Sequence, residues 1–233
     1  VLKGADALIH LPAIYGAKWD KFSIGNTNPV LSWNALCSAM DAGIQRVVMM
    51  SSINAIGGLF NKECPKFSYF PVDEDHPSIA EDAYSASKQI LEVQADCTAR
   101  LVNQPNSDKK IWIASIRPHF VADEKLKLEL DAETRKDLWG WTNREALARA
   151  CFLALEMKER GVSPGHERFF IVGEEHCCVG QNAMDMAAKY YPNTEIRTEG
   201  SRLEPQQGFY SGAKAERLLG WKHTGGENPR KEW

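Results

Sequence analysis

No stretch of the sequence approaches the ~20 consecutive apolar residues that a membrane-spanning helix requires. The opening VLKGADALIHL is an apolar run too short, and too broken by charge, for a secretory signal. No block of lysine and arginine is present to neutralise a row of phosphates. The net charge of −3 comes from acids and bases mixed along the chain, so nucleic acid is not an expected partner. The six cysteines never fall into C-x-x-C spacing, which reads as reduced thiols in a cytoplasmic protein and not as a zinc or redox pair. His176-Cys177-Cys178 reads as a loop or strand end with inert thiols, and no metal site is expected. Neither G-x-G-x-x-G nor G-x-x-G-x-x-G occurs, so a glycine-rich turn that would bring backbone amides to a pyrophosphate is missing. Internal repeats and low-complexity tracts are missing too.

What remains is an ordinary globular composition, 43% hydrophobic and 25% charged over 233 residues, long enough to bury a core. Short apolar runs bounded by turn residues alternate with helical patterns, the pattern of βα units around a parallel sheet. Ala7 to Leu11 reads as a buried strand, NPVLSWNALCSAMDA from Asn28 to Ala42 as a helix with Asn28 as its cap and Gly43 as its terminator, and RVVMMSS from Arg46 to Ser52 as a second strand. Ile53 to Pro77, broken by glycines and prolines, reads as a long loop over the edge of the sheet, and loops of that length are usually functional. A helix from about Asp82 to Leu101, a strand from Lys110 to Arg117 ended by Pro118, a helix from about Asn143 to Met157 and a strand from Phe169 to Val172 follow. Two short helices are expected between Gln181 and Trp233.

Tyr84 and Lys88 lie four apart on a predicted helix, one above the other on one face. An ammonium beside a phenol favours the phenolate and lowers a pKa that is ordinarily about 10, which makes Tyr84 a candidate general acid or base. The bland alternative is a pair of long side chains reaching for water. Ser51 and Ser52 end the RVVMMSS strand at the carboxyl edge where open α/β sheets bind ligands, although a serine there also simply terminates a strand. Trp139, Trp141 and Trp221 read as core anchors before pocket walls. Asp73-Glu74-Asp75-His76 reads as a solvated loop.

The order of these features is a stronger signal than any one of them. A strand ending in His-Leu-x-Ala, an Asn-headed helix, Arg-Val-Val-x-x-Ser-Ser, Tyr-x-x-Ser-Lys with Glu92 four residues on, Ile-Arg-Pro and the late SGAKAERLLGW together resemble the extended short-chain dehydrogenases/reductases, in particular the NAD-dependent epimerase/dehydratase group. That resemblance implies an α/β fold: a partial Rossmann-like parallel sheet lacking its first strands over residues 1–120, and a small C-terminal α/β substrate-binding region over 121–233. It gives Tyr84 the proton transfer, and gives Lys88 both the lowering of the tyrosine pKa and the nicotinamide ribose. Ser52 holds the reacting oxygen. Asn28 falls on the helix-capping asparagine; Leu11, Pro12 and Ala13 fall on the loop beside the cofactor, with Pro12 where alanine is usual; Pro118 and His119 fall on the segment whose backbone approaches the nicotinamide.

The implied cofactor is NAD or NADP, the partner a small-molecule substrate, and the assembly a homodimer through a helix pair that includes the Tyr84 helix. The pattern begins at the family's fourth strand, so two βα units and a further strand, at ~30 residues per unit, would lie upstream. Their absence bares the edge of the Ala7 to Leu11 strand. The competing reading is a shortened, non-catalytic relative that acts as a binding or assembly module through that edge.

Overall fold

The computed structural model describes residues 2–15, 20–131 and 134–223. Along the chain lie β1 (Leu8–His10), α1 (Lys21–Ala42), β2 (Arg46–Met50), β3 (Tyr69–Phe70), α2 (Ala83–Val102), β4 (Trp112–Pro118), β5 (Val121–Ala122), β6 (Thr142–Asn143), α3 (Arg144–Leu155), β7 (Gly165–Ile171), α4 (Ala183–Tyr190), β8 (Glu195–Ile196) and α5 (Ala213–Leu219). Four strands form one sheet in the order β1-β2-β4-β7, every pair parallel. β1 is an edge of that sheet among the described residues, with Ile9 36% exposed.

In-register neighbours face the same side of a sheet, so the pairing sorts side chains without further assumption. Leu8, Val47, Ile113 and His166 share one row, and His10, Met49, Ser115 and Arg168 the next. This is the face that α1 and α2 cover: Leu36 and Ala39 of α1 and Leu91, Ala95 and Ala99 of α2 pack on Val47, Met49 and Ile113. The opposite face presents Val48, Ala114, Ile116, Phe169 and Ile171 to α3 and α5. β7, the returning strand of the C-terminal region, therefore completes the sheet that the N-terminal half begins.

Several boundaries differ from the sequence reading, each for a physical reason. α1 starts seven residues earlier than Asn28: Asp20 is its cap, accepting Phe22 N–H at 2.8 Å and Ser23 N–H at 3.0 Å. Pro29 is then inside the helix. The helix tolerates it because the carbonyl left without a donor belongs to Gly25, which is exposed. Gly43 ends the helix in the left-handed region at φ 74°. β7 begins at Gly165 and not at Phe169; its polar His166 and Arg168 alternate with Phe169 and Ile171 and point at carboxylates on α2.

The 53–77 segment is also not a loop laid over an edge. Ile53–Ile56 is a 3-10 turn, β3 pairs with β8, and Ile53, Ile56, Phe67, Phe70 and Val72 share one core cluster with Trp139, Phe170 and Phe209. Within it the Asp73–His76 group is only partly solvated. The Glu74 carboxylate accepts Phe170 N–H at 2.7 Å and His76 Nε2 accepts Ser68 N–H at 2.9 Å. Trp139, Trp141 and Trp221 are buried core residues as expected.

Candidate active site

β2 ends beside the first two turns of α2, and the two elements meet through specific bonds. Asp82 caps α2, accepting Ser85 N–H at 2.9 Å, and the helix then places Tyr84 and Lys88 on one stripe. Ser52 caps the 3-10 turn that follows β2: its Oγ accepts Asn54 N–H at 3.2 Å and Asn54 Nδ2 at 3.3 Å. With two donors already directed at its oxygen, the Ser52 hydroxyl is left to donate its own proton, and its influence on the Tyr84 phenol favours the phenolate.

Gly57 makes this approach possible. It has φ 87°, and a Cβ there would lie 2.5 Å from the backbone nitrogen of Ala80. The adjoining Ile56 carbonyl accepts Ile79 N–H at 2.7 Å. The turn that carries Ser52 is thereby strapped to the chain entering α2.

Lys88 is buried, and its Nζ donates to the Met50 carbonyl at 2.6 Å while lying 5.5 Å from the centre of the Tyr84 ring. Burial pulls the ammonium down to about 8, against Glu92, which favours the charged form. Tyr84 is half-buried, flanked by the rings of Tyr15 at 5.9 Å and Phe60 at 5.8 Å. Burial holds its phenol above the ordinary value of 10, and the Ser52 hydroxyl acts in the opposite sense. The expected lowering of the tyrosine by Lys88 is thus reversed in this structure. Desolvation sets the direction, and the lysine is directed to a backbone carbonyl instead of the phenolic oxygen.

The other expected site residues divide into two groups. Asn28 does not cap its helix. From inside α1 its amide clasps the loop after β1: Oδ1 accepts Ile14 N–H at 2.8 Å, and Nδ2 donates to Ile14 O at 3.0 Å and to Ser87 Oγ at 3.1 Å. It therefore ties the Leu11–Ala13 loop to α2, with Leu11 57% exposed and Pro12 exposed beside it. Pro118 and His119 end β4 but face the C-terminal core. His119 N–H donates to Thr142 Oγ1 at 2.8 Å, its Nε2 lies 2.9 Å from Asp137 O, and its ring packs on Tyr210. Gly140 has to be glycine there, since a Cβ would stand 2.7 Å from the His119 ring. His176, Cys177 and Cys178 are buried, burial pushes the two thiols up to about 11 and about 12, and His176 Nδ1 accepts Cys178 N–H at 3.2 Å.

Three features at this site were not legible in the sequence. Tyr15 and Phe60 come from loops without periodicity, so nothing marked them as walls for Tyr84. His10 ends β1 with a buried Nε2 that has no hydrogen-bond partner, and burial and then Lys88 hold its ring neutral. Arg168 completes a charge group around Glu92, and only the alternation in HERFFI hinted at it.

No family model matches the sequence, and no curated protein matches it either. Solved structures do match. MoeE5 in complex with UDP-glucose and NAD has 17% identity and a TM-score of 0.63, over 97% of this chain and 76% of that one. A UDP-galactose 4-epimerase has 20% identity and a TM-score of 0.61, over 97% and 74%. UDP-glucuronic acid 4-epimerase from Bacillus cereus, in complex with NAD, has 18% identity and a TM-score of 0.62, over 96% and 71%. At these identities the likeness speaks for architecture. The chain has the Rossmann-like α/β fold of the extended short-chain dehydrogenases/reductases of the epimerase/dehydratase type, across about three quarters of the length of the structures it matches.

Proposed function

We propose that the Ser52–Tyr84–Lys88 group is the proton-handling centre of an NAD(P)-dependent epimerase, dehydratase or reductase acting on a carbinol or carbonyl carbon of a small-molecule substrate. The observation that carries this reading is the placement of Tyr84 and Lys88 on one stripe of α2, the Lys88 Nζ on the Met50 carbonyl and 5.5 Å from the Tyr84 ring, beside Ser52 at the carboxyl end of a parallel strand. When bound, a nicotinamide cofactor supplies the hydride acceptor or donor. The chain's own residues move the proton. Tyr84 exchanges it with the substrate oxygen, Ser52 donates a hydrogen bond to that same oxygen, and the Lys88 ammonium stabilises the phenolate as it forms.

The residues present suit one end of the cofactor better than the other. Lys88, the unpartnered His10 Nε2 and the exposed Leu11–Ala13 loop fit the nicotinamide riboside end. Without a glycine-rich turn, the sequence offers no cradle for the pyrophosphate. Titration with NADH and NADPH, followed by emission from the seven tryptophans, is expected to show micromolar binding; silence up to millimolar concentration would overturn the cofactor assignment. Because MoeE5 is described with UDP-glucose, a panel of sugar nucleotides is the first substrate screen.

A second reading is supported by the open edge of β1, with Ile9 and Leu11 exposed: the chain acts as a binding module that pairs through that edge. Homodimerisation has separate support. Val30 and Trp33 on α1 and Ile90 and Val93 on α2 are exposed apolar residues on two helices that pack together. Light scattering after gel filtration, repeated with Val93→Glu, tests it; a monomer in the unsubstituted chain removes it.

A further inference from the structure

Three consecutive residues at the end of β2 are each tied to α2. The Met50 carbonyl accepts Lys88 Nζ at 2.6 Å, Ser51 Oγ donates to Glu92 Oε1 at 2.7 Å, and the Ser52 hydroxyl acts on the Tyr84 phenol to favour its phenolate. Tyr84, Lys88 and Glu92 follow one another at four-residue spacing, so a single stripe of the helix reads a single strand end. Glu92 is the anchor of that stripe. It is 4% exposed and is held from the sheet by Arg117 Nε at 2.8 Å and Nη2 at 2.7 Å, and by Arg168 Nε at 3.0 Å. Arg168 also grips Asp96, whose Oδ1 lies 2.8 Å from His166 Nδ1. The charges of Glu92, Asp96, Arg117 and Arg168 cancel, and the Lys88 ammonium is the buried charge added to that neutral set.

We propose that Glu92 is the positioning residue of the Ser52–Tyr84–Lys88 centre: fixed by Arg117 and Arg168, it locks the end of β2 onto α2 through Ser51 and supplies the negative charge that faces the Lys88 ammonium. The proposal rests on reading that centre as the proton-handling site. Lys88 is faced by Glu92 and Tyr84 from α2, by His10 from β1 and by the Met50 carbonyl from β2. His10 is held neutral, and burial keeps the phenol protonated. Glu92 is therefore the one anion among these groups, and a buried ammonium without an opposing charge gives up its proton.

The test is a titration of Lys88 in the full chain, read from its labelled ε-carbon by NMR. Glu92→Gln keeps the shape and removes the charge; the Lys88 midpoint is expected to fall by about one pH unit or more, a tenfold change in its dissociation constant. Arg168→Gln, at a side chain 28% exposed, frees Glu92 from one guanidinium and is expected to move the midpoint up. A residue that only filled space would give the reverse of the first result. Loosened packing admits water and lets Lys88 rise toward its ordinary 10.5. A rise or no change in Glu92→Gln overturns the proposal; should that variant fail to fold, a fall or no change in Arg168→Gln does so. The titration uses neither cofactor nor substrate, so absence of NADH binding would remove the proposed function and leave this result standing.

Discussion

Two serines beside α2 sit in superficially similar company and end in different chemistry. Ser115 Oγ lies 2.7 Å from His166 Nε2, and His166 Nδ1 lies 2.8 Å from Asp96 Oδ1. That is the serine, imidazole and carboxylate order of a hydrolytic triad. Ser52 Oγ instead accepts from the Asn54 backbone and side chain and acts on the Tyr84 phenol. Yet Ser115 is fully buried in the middle of β4, between β2 and β7, where no substrate carbonyl can reach it. Ser52 stands at a strand end, next to a half-buried tyrosine. The closed group uses its hydrogen bonds to satisfy buried polar atoms; the open group keeps a donor and a phenol in reserve. On the proposed reading, position along the strand, more than the identity of the partners, separates the structural serine from the reactive one.

Acid separates stability from reactivity on the largest scale. All six histidines, His10, His76, His119, His166, His176 and His223, are lowered from 6.5, in each case first by burial, with His223 brought to about 4. A group lowered on folding stays neutral in the native state while the unfolded chain takes up a proton below pH 6.5. Stability is therefore complete above that pH and is lost as pH falls below it, with His223, brought to about 4, contributing over the widest pH range. Urea unfolding at pH 7.5, 6.5 and 5.5 is expected to show a steep decline, and a flat profile would contradict the neutral burial of His166.

Removing the hydroxyl of the open group should act on rate alone. Tyr84→Phe is expected to lower hydride transfer ~10²–10⁴-fold while the urea midpoint stays in place, whereas Ser115→Ala should leave the rate within about twofold. Equal losses of rate in the two variants would erase the distinction. Gly57→Ala comes next, because the added carbon meets the Ala80 backbone and the residue has a positive φ. A cost of about 2–3 kcal/mol is expected, together with loss of the Ser52–Tyr84 approach and hence of activity. The smallest effect belongs to the closed group itself: Ser115→Ala leaves His166 Nε2 without its partner and should cost about 1–2 kcal/mol by urea unfolding.

Much of this was legible in the chain because it depends on local pattern. RVVMM had to be a buried strand, and AYSASKQILE had to be a helix with Tyr84 and Lys88 on one stripe. HERFFI was harder. His166, Glu167 and Arg168 look like the end of a loop until α2 is known to bring Glu92 and Asp96 over one face and α5 to bring Lys214 to Glu167 on the other. The 53–77 segment hides its burial for a similar reason: glycine and proline break periodicity, but they do not say whether a segment is buried. Asn28 stands at the position expected from the resemblance and does a different task, because Asp20 caps the helix eight residues earlier.

The sequence by itself determined the succession of strands and helices, the parallel sheet and the pairing of a phenol with an ammonium, since these follow from spacing and side-chain chemistry within a few residues. Tertiary structure decided which serine stands at a strand end beside a half-buried phenol, in which direction burial moves Tyr84, and that Glu92 is shared between two arginines. Those outcomes depend on desolvation and on charges brought together from β4, β7 and α2, and neither is a property of any short stretch of chain.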